Sequence, residues 1–137
     1  MALTTKQLFE KQIDCVCRGD REGQLSLYHE DIEFNFPFAT DRPRKIIGRE
    51  AFVRAMQPLW DQAEAAGIHI IGYKGDVHQS ADDPGGVFAE FVLKVSMPDG
   101  TTRDVQFVQK MRAAEGKIIS VNEYFSSADR ATMTSSR

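Results

Sequence analysis

The sequence lacks most of the features that mark specialised protein classes. Only two of the 137 residues are cysteines. On a helix Cys15 and Cys17 would point about 200° apart, so they cannot bridge each other. No apolar run is long enough to span a membrane. Seventeen Lys and Arg against twenty Asp and Glu give a net charge of −3, and this balance argues against the basic face of a nucleic-acid module. We therefore predict a cytoplasmic protein with reduced thiols and no nucleic-acid or membrane partner.

Motifs for several reaction classes are also missing. The chain has no glycine-rich phosphate loop, no serine nucleophile elbow and no zinc-ligand spacing. His69 and His78 flank a glycine-broken strand pattern, and neither has a Cys, Asp or Glu at metal-ligand spacing. We expect no metal and no cofactor.

What the sequence does contain is enough apolar material for one core. With 42% hydrophobic residues, a chain of this length fits a single domain. We predict one domain over residues 1–125. The remaining residues, 126–137, are rich in Ser and Thr, which predicts a flexible C-terminal tail.

The order of periodic patterns indicates the fold class. Helical spacing in the first part gives way to strand alternation, and Pro98-Asp99-Gly100 and Glu115-Gly116 are typical hairpin turns. The segment 41–45 is predicted to be a charged loop. Helix, helix, strand, helix and four hairpin-connected strands indicate an α+β fold, in which helices pack on one face of a bent antiparallel sheet. We predict a cone with an internal pocket, a cystatin-like roll.

Two glutamates are the candidates for acid–base chemistry in this sequence. Hairpin geometry places Phe107 near Glu123 and Gln109 near Val121, so Glu123 shares a face with apolar residues. Glu90 lies between Ala89 and Phe91, and the hairpin at Pro98-Asp99-Gly100 places it roughly opposite Val108 or Gln109, so it could face the same cavity. A carboxyl group removed from water can exchange a proton near neutral pH, as general acid–base catalysis requires. The alternative is that each carboxylate is exposed or paired with a nearby Arg or Lys, because a one-residue slip reverses the face.

Further residues are candidates for contacting a ligand. Aromatic side chains could simply fill the core or could hold a flat ring beside a cavity. Asn35 could point inward as a hydrogen-bond donor or outward to water, and His69 could be a surface residue. The predicted substrate-binding set is Tyr28, Asn35, Phe36, Trp60, His69 and Phe107.

The chain resembles the nuclear transport factor 2-like superfamily, in its SnoaL-like and ketosteroid-isomerase-like branch. The resemblance covers residues 6–125. It rests on four segments in order, Leu27-Tyr28-His29-Glu30-Asp31-Ile32-Glu33-Phe34, Ile47-Gly48-Arg49-Glu50-Ala51-Phe52, Phe88-Ala89-Glu90-Phe91 and Gly116-Lys117-Ile118-Ile119 followed by Glu123-Tyr124-Phe125. This fold hosts isomerases, cyclases, dehydratases and non-catalytic modules.

The resemblance carries over some functional residues and not others. Ketosteroid isomerases have an Asp before the proline that ends the first strand, where this chain has Phe36. Phenazine-biosynthesis relatives have a general-acid Glu in the last strand, which matches Glu123, whereas their active-site His falls near Ala55. The resemblance implies an acid–base isomerase, cyclase or dehydratase that acts on a small apolar, ring-containing or polyketide-like molecule. The alternative is a non-catalytic ligand-binding or dimerisation module.

An apolar pattern on both faces of the strand at 87–97 indicates that its outer face needs a cover. We therefore expect a homodimer formed through the outer face of the sheet.

Overall fold

Helices begin the chain. The computed structural model describes residues 3–126 and 133. Helix α1 spans Thr5–Arg18, with Thr4 as its N-cap, and ends at Gly19, whose φ of 69° is left-handed and suits glycine. The apolar stripe of α1 is buried. Helix α2 (Arg21–Ser26) follows after the N-cap Asp20, and helix α3 spans Arg49–Ala65.

Six strands form one sheet. They are β1 (Tyr28–Asn35), β2 (Lys45–Ile47), β3 (His69–Gln79), β4 (Gly86–Ser96), β5 (Thr102–Ala114) and β6 (Lys117–Tyr124). Their order across the sheet is β2-β1-β6-β5-β4-β3. The helices pack on one face, which we call the inner face; the opposite face is the outer face. The predicted α+β class is confirmed.

One strand pairing departs from the predicted antiparallel sheet. β1 and β6 run parallel, with Asn35 opposite Asn122, so the sheet is mixed. The other neighbouring pairs are antiparallel. Short turns force antiparallel pairing between consecutive strands, whereas β1 and β6 are separated by most of the chain. The local patterns carried no information about that pairing.

A β-bulge in β6 sets the face of Glu123. Ala113 pairs with Ile118 and Arg112 pairs with Ser120, so Ile119 is an extra residue on β6. Without it, continuation of the register beyond Ala113 would place Asn122 opposite Gln109. With it, Glu123 is the residue opposite Gln109. The predicted pairs Gln109–Val121 and Phe107–Glu123 are therefore wrong, and the observed partner of Gln109 lies two residues from the predicted one, which preserves the face.

The core fills the space between the inner face and the helices. Its fully buried side chains include Leu8 and Phe9 from α1, Ile32 from β1 and Met111 from β5. The predicted tail, 126–137, lies outside the described residues except for Ser126 and Met133. Met133 is buried and belongs to the core. No helix in the described part of the chain is long and apolar enough to cross a membrane.

Candidate active site in the cavity

A cavity of about 660 Å³ lies between the helices and the inner face of the sheet. Its size falls in the range of ligand pockets in proteins. Residues from all three helices, from β1 and from β3 to β6 line it. Six of the eight predicted site residues are among them: Tyr28, Phe36, Trp60, His69, Phe107 and Glu123.

Glu123 lies at the cavity wall and is half-buried. Its cross-strand partner on β5 is Gln109. Gln109 Nε2 donates a hydrogen bond to Glu123 Oε2 over 2.9 Å. The predicted position of this carboxylate on the inner face is therefore what the structure has.

A chain of hydrogen bonds runs from Glu123 through the buried wall of the cavity. Gln12 Nε2 donates to Gln109 Oε1 (3.0 Å), and the Tyr28 hydroxyl donates to Gln12 Oε1 (2.8 Å). Gln24 Nε2 in turn donates to the Tyr28 hydroxyl oxygen (2.9 Å). We call these five residues the amide chain. It links α1, α2, β1, β5 and β6, and therefore fixes the position of Glu123 relative to α1 and α2.

Burial is the main influence on the pKa of Tyr28. Its side chain is 2% exposed, and the loss of water raises the pKa of the phenol far above its usual range. The negative charge of Glu123 acts in the same direction. Phe34 and Phe52 contact the Tyr28 ring edge to face. Tyr28 therefore stays a neutral hydrogen-bond donor within the amide chain.

Aromatic rings form much of the remaining wall. Phe34 stacks on Phe52 with centroids 4.1 Å apart, and Phe107 stacks on Phe91 at 5.4 Å. Trp60 meets Phe52 edge to face at 6.1 Å. Such surfaces suit an apolar molecule that contains rings. The two sequence interpretations of these rings coexist, because several are buried in the core and line the cavity as well.

His69 also lines the cavity, although it is solvent-exposed at the start of β3. Its side chain therefore lies where the cavity meets solvent.

Glu90 lies on the outer face, so the expectation that it shares the cavity with Glu123 is wrong. Its neighbours Ala89 and Phe91 are buried at 0% and 4% exposure, whereas Glu90 is exposed. It pairs with Asp76 on β3 and with Val108 on β5. Successive residues of a strand point to opposite faces, so Ala89 and Phe91 cannot share a face with Glu90. The apolar residues Ala89 and Phe91 face inward, and Glu90 therefore faces outward.

Asn35 is also absent from the cavity. Phe34 and Phe36 occupy the inner face, so Asn35 points outward. Its Nδ2 donates to Asn122 Oδ1 (2.9 Å) and to Glu33 Oε2 (3.1 Å). The inward alternative for Asn35 is wrong, and its amide joins β1 to β6 on the outer face.

Arg42 is a cavity residue that the sequence analysis missed. Its side chain is 1% exposed, although it belongs to the segment predicted as a charged loop. Its Nε and Nη2 donate to the two carboxylate oxygens of Asp41 at 2.9 and 3.0 Å. The guanidinium lies 5.0 Å from the Phe36 ring centroid and 5.5 Å from that of Phe125. Nothing in the local pattern of charges distinguishes it from Arg44, which is exposed.

In the part of the chain that the structure describes, no three His, Cys, Asp or Glu side chains cluster closely enough to hold a metal ion. The polar groups that line the cavity include carboxylate, amide, phenol and guanidinium groups. Together they can exchange a proton and bind an oxygen atom of a ligand.

Comparison with known families and structures places this geometry in context. The family model of the SnoaL-like domain matches residues 9–121. No curated protein sequence gives a significant match.

Several crystal structures share the fold. A Bacillus subtilis protein provisionally named an isomerase is 20% identical, with a TM-score of 0.80 over 97% of this chain and 94% of that one. A Pseudomonas putida protein provisionally named a polyketide cyclase is 17% identical, with a TM-score of 0.72 over 98% and 100%. A Mycobacterium tuberculosis protein in complex with estradiol-17β-hemisuccinate is 22% identical, with a TM-score of 0.67 over 89% and 93%. At these identities the likeness shows the fold alone.

Proposed function

The chain belongs to the SnoaL-like domain family, and on that premise we propose that it is an acid–base enzyme of the isomerase, cyclase or dehydratase type. Its substrate is a small apolar molecule that contains rings or is polyketide-like. Glu123 transfers the proton. The observation that carries this proposal is the half-buried Glu123 carboxylate at a cavity whose lining includes seven aromatic side chains.

The surroundings of Glu123 support its role as a proton acceptor. The hydrogen bond from Gln109 uses Oε2, and no second side-chain hydrogen bond to Glu123 occurs within residues 3–126 and 133. A base must reach the proton that it removes, and a fixed carboxylate with an unused oxygen meets that requirement. The substrate proton would come from a carbon next to a carbonyl group, which leaves an enolate.

Arg42 is the group best suited to the oxygen of that enolate. A guanidinium has five N–H donors, and Asp41 accepts from Nε and Nη2. Nη1 has two hydrogens, and its contact in the structure is the weak acceptor Met56 Sδ at 3.2 Å. A donor held in place before the reaction stabilises developing negative charge without reorganisation. We therefore assign Arg42 to the carbonyl oxygen of the substrate.

A non-catalytic binding module is the alternative. The similar Mycobacterium tuberculosis protein was crystallised with a steroid ester, and the same type of cavity could hold a ligand without reacting. A cavity plugged by Phe34, Phe36 and Trp60 would favour a purely structural role. The observed cavity has room for a ligand and contains an ionisable group, which favours the enzyme.

Proton exchange tests the catalytic proposal without knowledge of the natural substrate. Bicyclic and tricyclic ketones are incubated with the protein in D₂O, and NMR follows the loss of the protons next to the carbonyl. We expect catalysed exchange for members of this panel. Glu123→Gln keeps the size and an acceptor for Gln109 but cannot take a proton, so the exchange rate should fall by about 100-fold or more.

Glu90→Gln is the matched control, because it makes the same change on the outer face of the same sheet. It should leave the exchange rate within about twofold of the wild type, since Glu90 lies on the face of the sheet away from the cavity and from the amide chain. Equal rates in wild-type protein and Glu123→Gln would refute the role of Glu123.

We also propose a homodimer formed through the outer face of the sheet. Phe88 is 39% exposed there, and Val92 and Val108 are half-buried. An apolar strip of this kind is commonly covered by a partner. Light scattering at micromolar concentration should give twice the monomer mass, and Phe88→Glu should return the monomer. A monomeric wild-type protein would contradict this assignment.

A further inference from the structure

Gln24 has a buried acceptor without a donor. Its side chain lines the cavity, and the residue is 7% exposed. Among the buried side-chain nitrogen and oxygen atoms of residues 3–126 and 133, Gln24 Oε1 alone lacks a hydrogen-bond partner. An acceptor that is removed from water and left unpaired costs about 1–3 kcal/mol. Oε1 itself has almost no accessible surface, so a ligand in the cavity can supply the missing donor only if the amide of Gln24 turns toward it.

The amide chain explains why the oxygen of Gln24, rather than its nitrogen, is left over. An ionised Glu123 can only accept, so Gln109 must turn its nitrogen toward it. The oxygen of Gln109 then accepts from Gln12, whose own oxygen accepts from Tyr28. The Tyr28 hydroxyl has one hydrogen and has already donated it, so Gln24 must donate to Tyr28.

Each member of the amide chain thus fixes the orientation of the next. The polarity set by Glu123 passes through three side chains and ends on Gln24 Oε1. Reversing the amide of Gln24 alone would place two acceptors, its own oxygen and that of Tyr28, against each other. The orphaned oxygen is therefore a property of the whole chain.

We propose that the cavity selects ligands that carry a hydroxyl or N–H donor, and that this donor binds to Gln24 Oε1. The inference rests on the proposed function only in that the cavity receives a small apolar molecule with rings. The ligand class becomes an alcohol, phenol or ring N–H compound. The terminal torsion of glutamine is soft, so a small rotation can turn Oε1 toward the ligand while Nε2 stays near Tyr28.

A pair of probes that differ in one hydrogen-bond donor tests this inference. 2-Naphthol has a hydroxyl donor, and 2-methoxynaphthalene has the same ring system and oxygen without the donor. Calorimetry should show that the wild-type protein binds 2-naphthol about tenfold more tightly, the size expected when a buried acceptor gains a partner. In Gln24→Met, which keeps the length of the side chain and removes the acceptor, the two affinities should agree within about twofold.

Gln57→Met is the matched control. Gln57 also lines the cavity, but it is exposed and its amide donates to Asp61 Oδ1. This variant should keep the tenfold preference for 2-naphthol. Circular dichroism verifies that both variants are folded.

Three results would overturn the inference: similar wild-type affinities for the two probes, failure of 2-naphthol to bind in the millimolar range, or a preference that survives in folded Gln24→Met. Because binding is measured without turnover, the outcome is separate from the catalytic proposal. A Glu123→Gln variant that still catalysed exchange would contradict the role of Glu123 alone.

Discussion

Glu90 and Glu123 lie on the same sheet, two strands apart, and end in opposite environments. Glu90 is exposed on the outer face, whereas Glu123 is half-buried at the cavity and accepts a hydrogen bond from Gln109. The residue type is the same in both cases. The difference teaches that the face of a strand, set by register, decides whether a carboxylate can take part in chemistry.

The two faces also differ in how their amides are used. On the inner face the amide chain connects buried groups from five elements. On the outer face Asn35 and Asn122 form a short, partly exposed pair beside Glu33. A bond that is shielded from water has no substitute when it is broken, whereas water can replace an exposed one. Substitutions on the inner face should therefore lower the free energy of unfolding more than substitutions on the outer face.

The largest difference in stability is expected between two residues of β5 that face opposite sides. Met111 is fully buried on the inner face, so Met111→Ala should lower the free energy of unfolding by about 3 kcal/mol through lost burial and a cavity. Val108 is half-buried on the outer face, and Val108→Ala should cost about 1 kcal/mol or less. Urea denaturation of both variants in the monomeric Phe88→Glu background measures the difference. Equal losses would mean that the outer face is packed as tightly as the inner one.

A smaller difference is expected for the amides. Gln12→Leu removes the centre of the amide chain and leaves the Tyr28 hydroxyl and Gln109 Oε1 without their partners. The free energy of unfolding should fall by about 2 kcal/mol.

The same change on the outer face, Asn122→Leu, should cost about 0.5 kcal/mol, because water can reach Asn35. Thermal unfolding followed by circular dichroism compares the two variants. A larger loss in Asn122→Leu would contradict the greater weight given to the inner face.

The smallest effect is expected in the stability of the protein at acidic pH, to which Glu33 contributes. The hydrogen bond from Asn35, followed by the interactions with Lys45, lowers the pKa of Glu33 below its usual range. A lowered pKa in the folded state adds stability above the unfolded pKa, and this contribution is lost as the pH falls through the folded pKa. Asn35→Ala should raise the pKa of Glu33 toward its usual value.

NMR titration of the Glu33 carboxyl carbon measures this change, with Lys45→Met as a second variant that acts in the same direction. An unchanged titration midpoint in Asn35→Ala would show that the hydrogen bond from the Asn35 amide to Glu33 does not form in solution.

Much of the fold followed from local patterns. The helical spacing at the start of the chain and the turn at Glu115-Gly116 are short-range features, and the structure contains them. The alternation of β5 was visible along the chain, whereas the bulge at Ile119 that sets the face of Glu123 on β6 was not. The pairing of β1 with β6 did not, because no short turn connects these strands.

The candidate site was predicted less completely than the fold. Glu123 was found because it interrupts an apolar alternation, and the aromatic rings were found by their type. Gln12, Gln24 and Gln109 carry no distinctive signal, since glutamine is common on exposed surfaces. Arg42 looked like any other charge of a polar loop, and its burial arises only when the loop folds over Phe36 and Phe125.

The sequence by itself determined the α+β class, the apolar alternation of the strands and the presence of a glutamate within that alternation, because these depend on spacing along the chain. Only the tertiary structure decided that Ile119 bulges so that Glu123 faces inward, that Glu90 faces outward and that Arg42 is buried. Register, bulges and loop packing depend on residues far apart in sequence, and local periodicity cannot encode them.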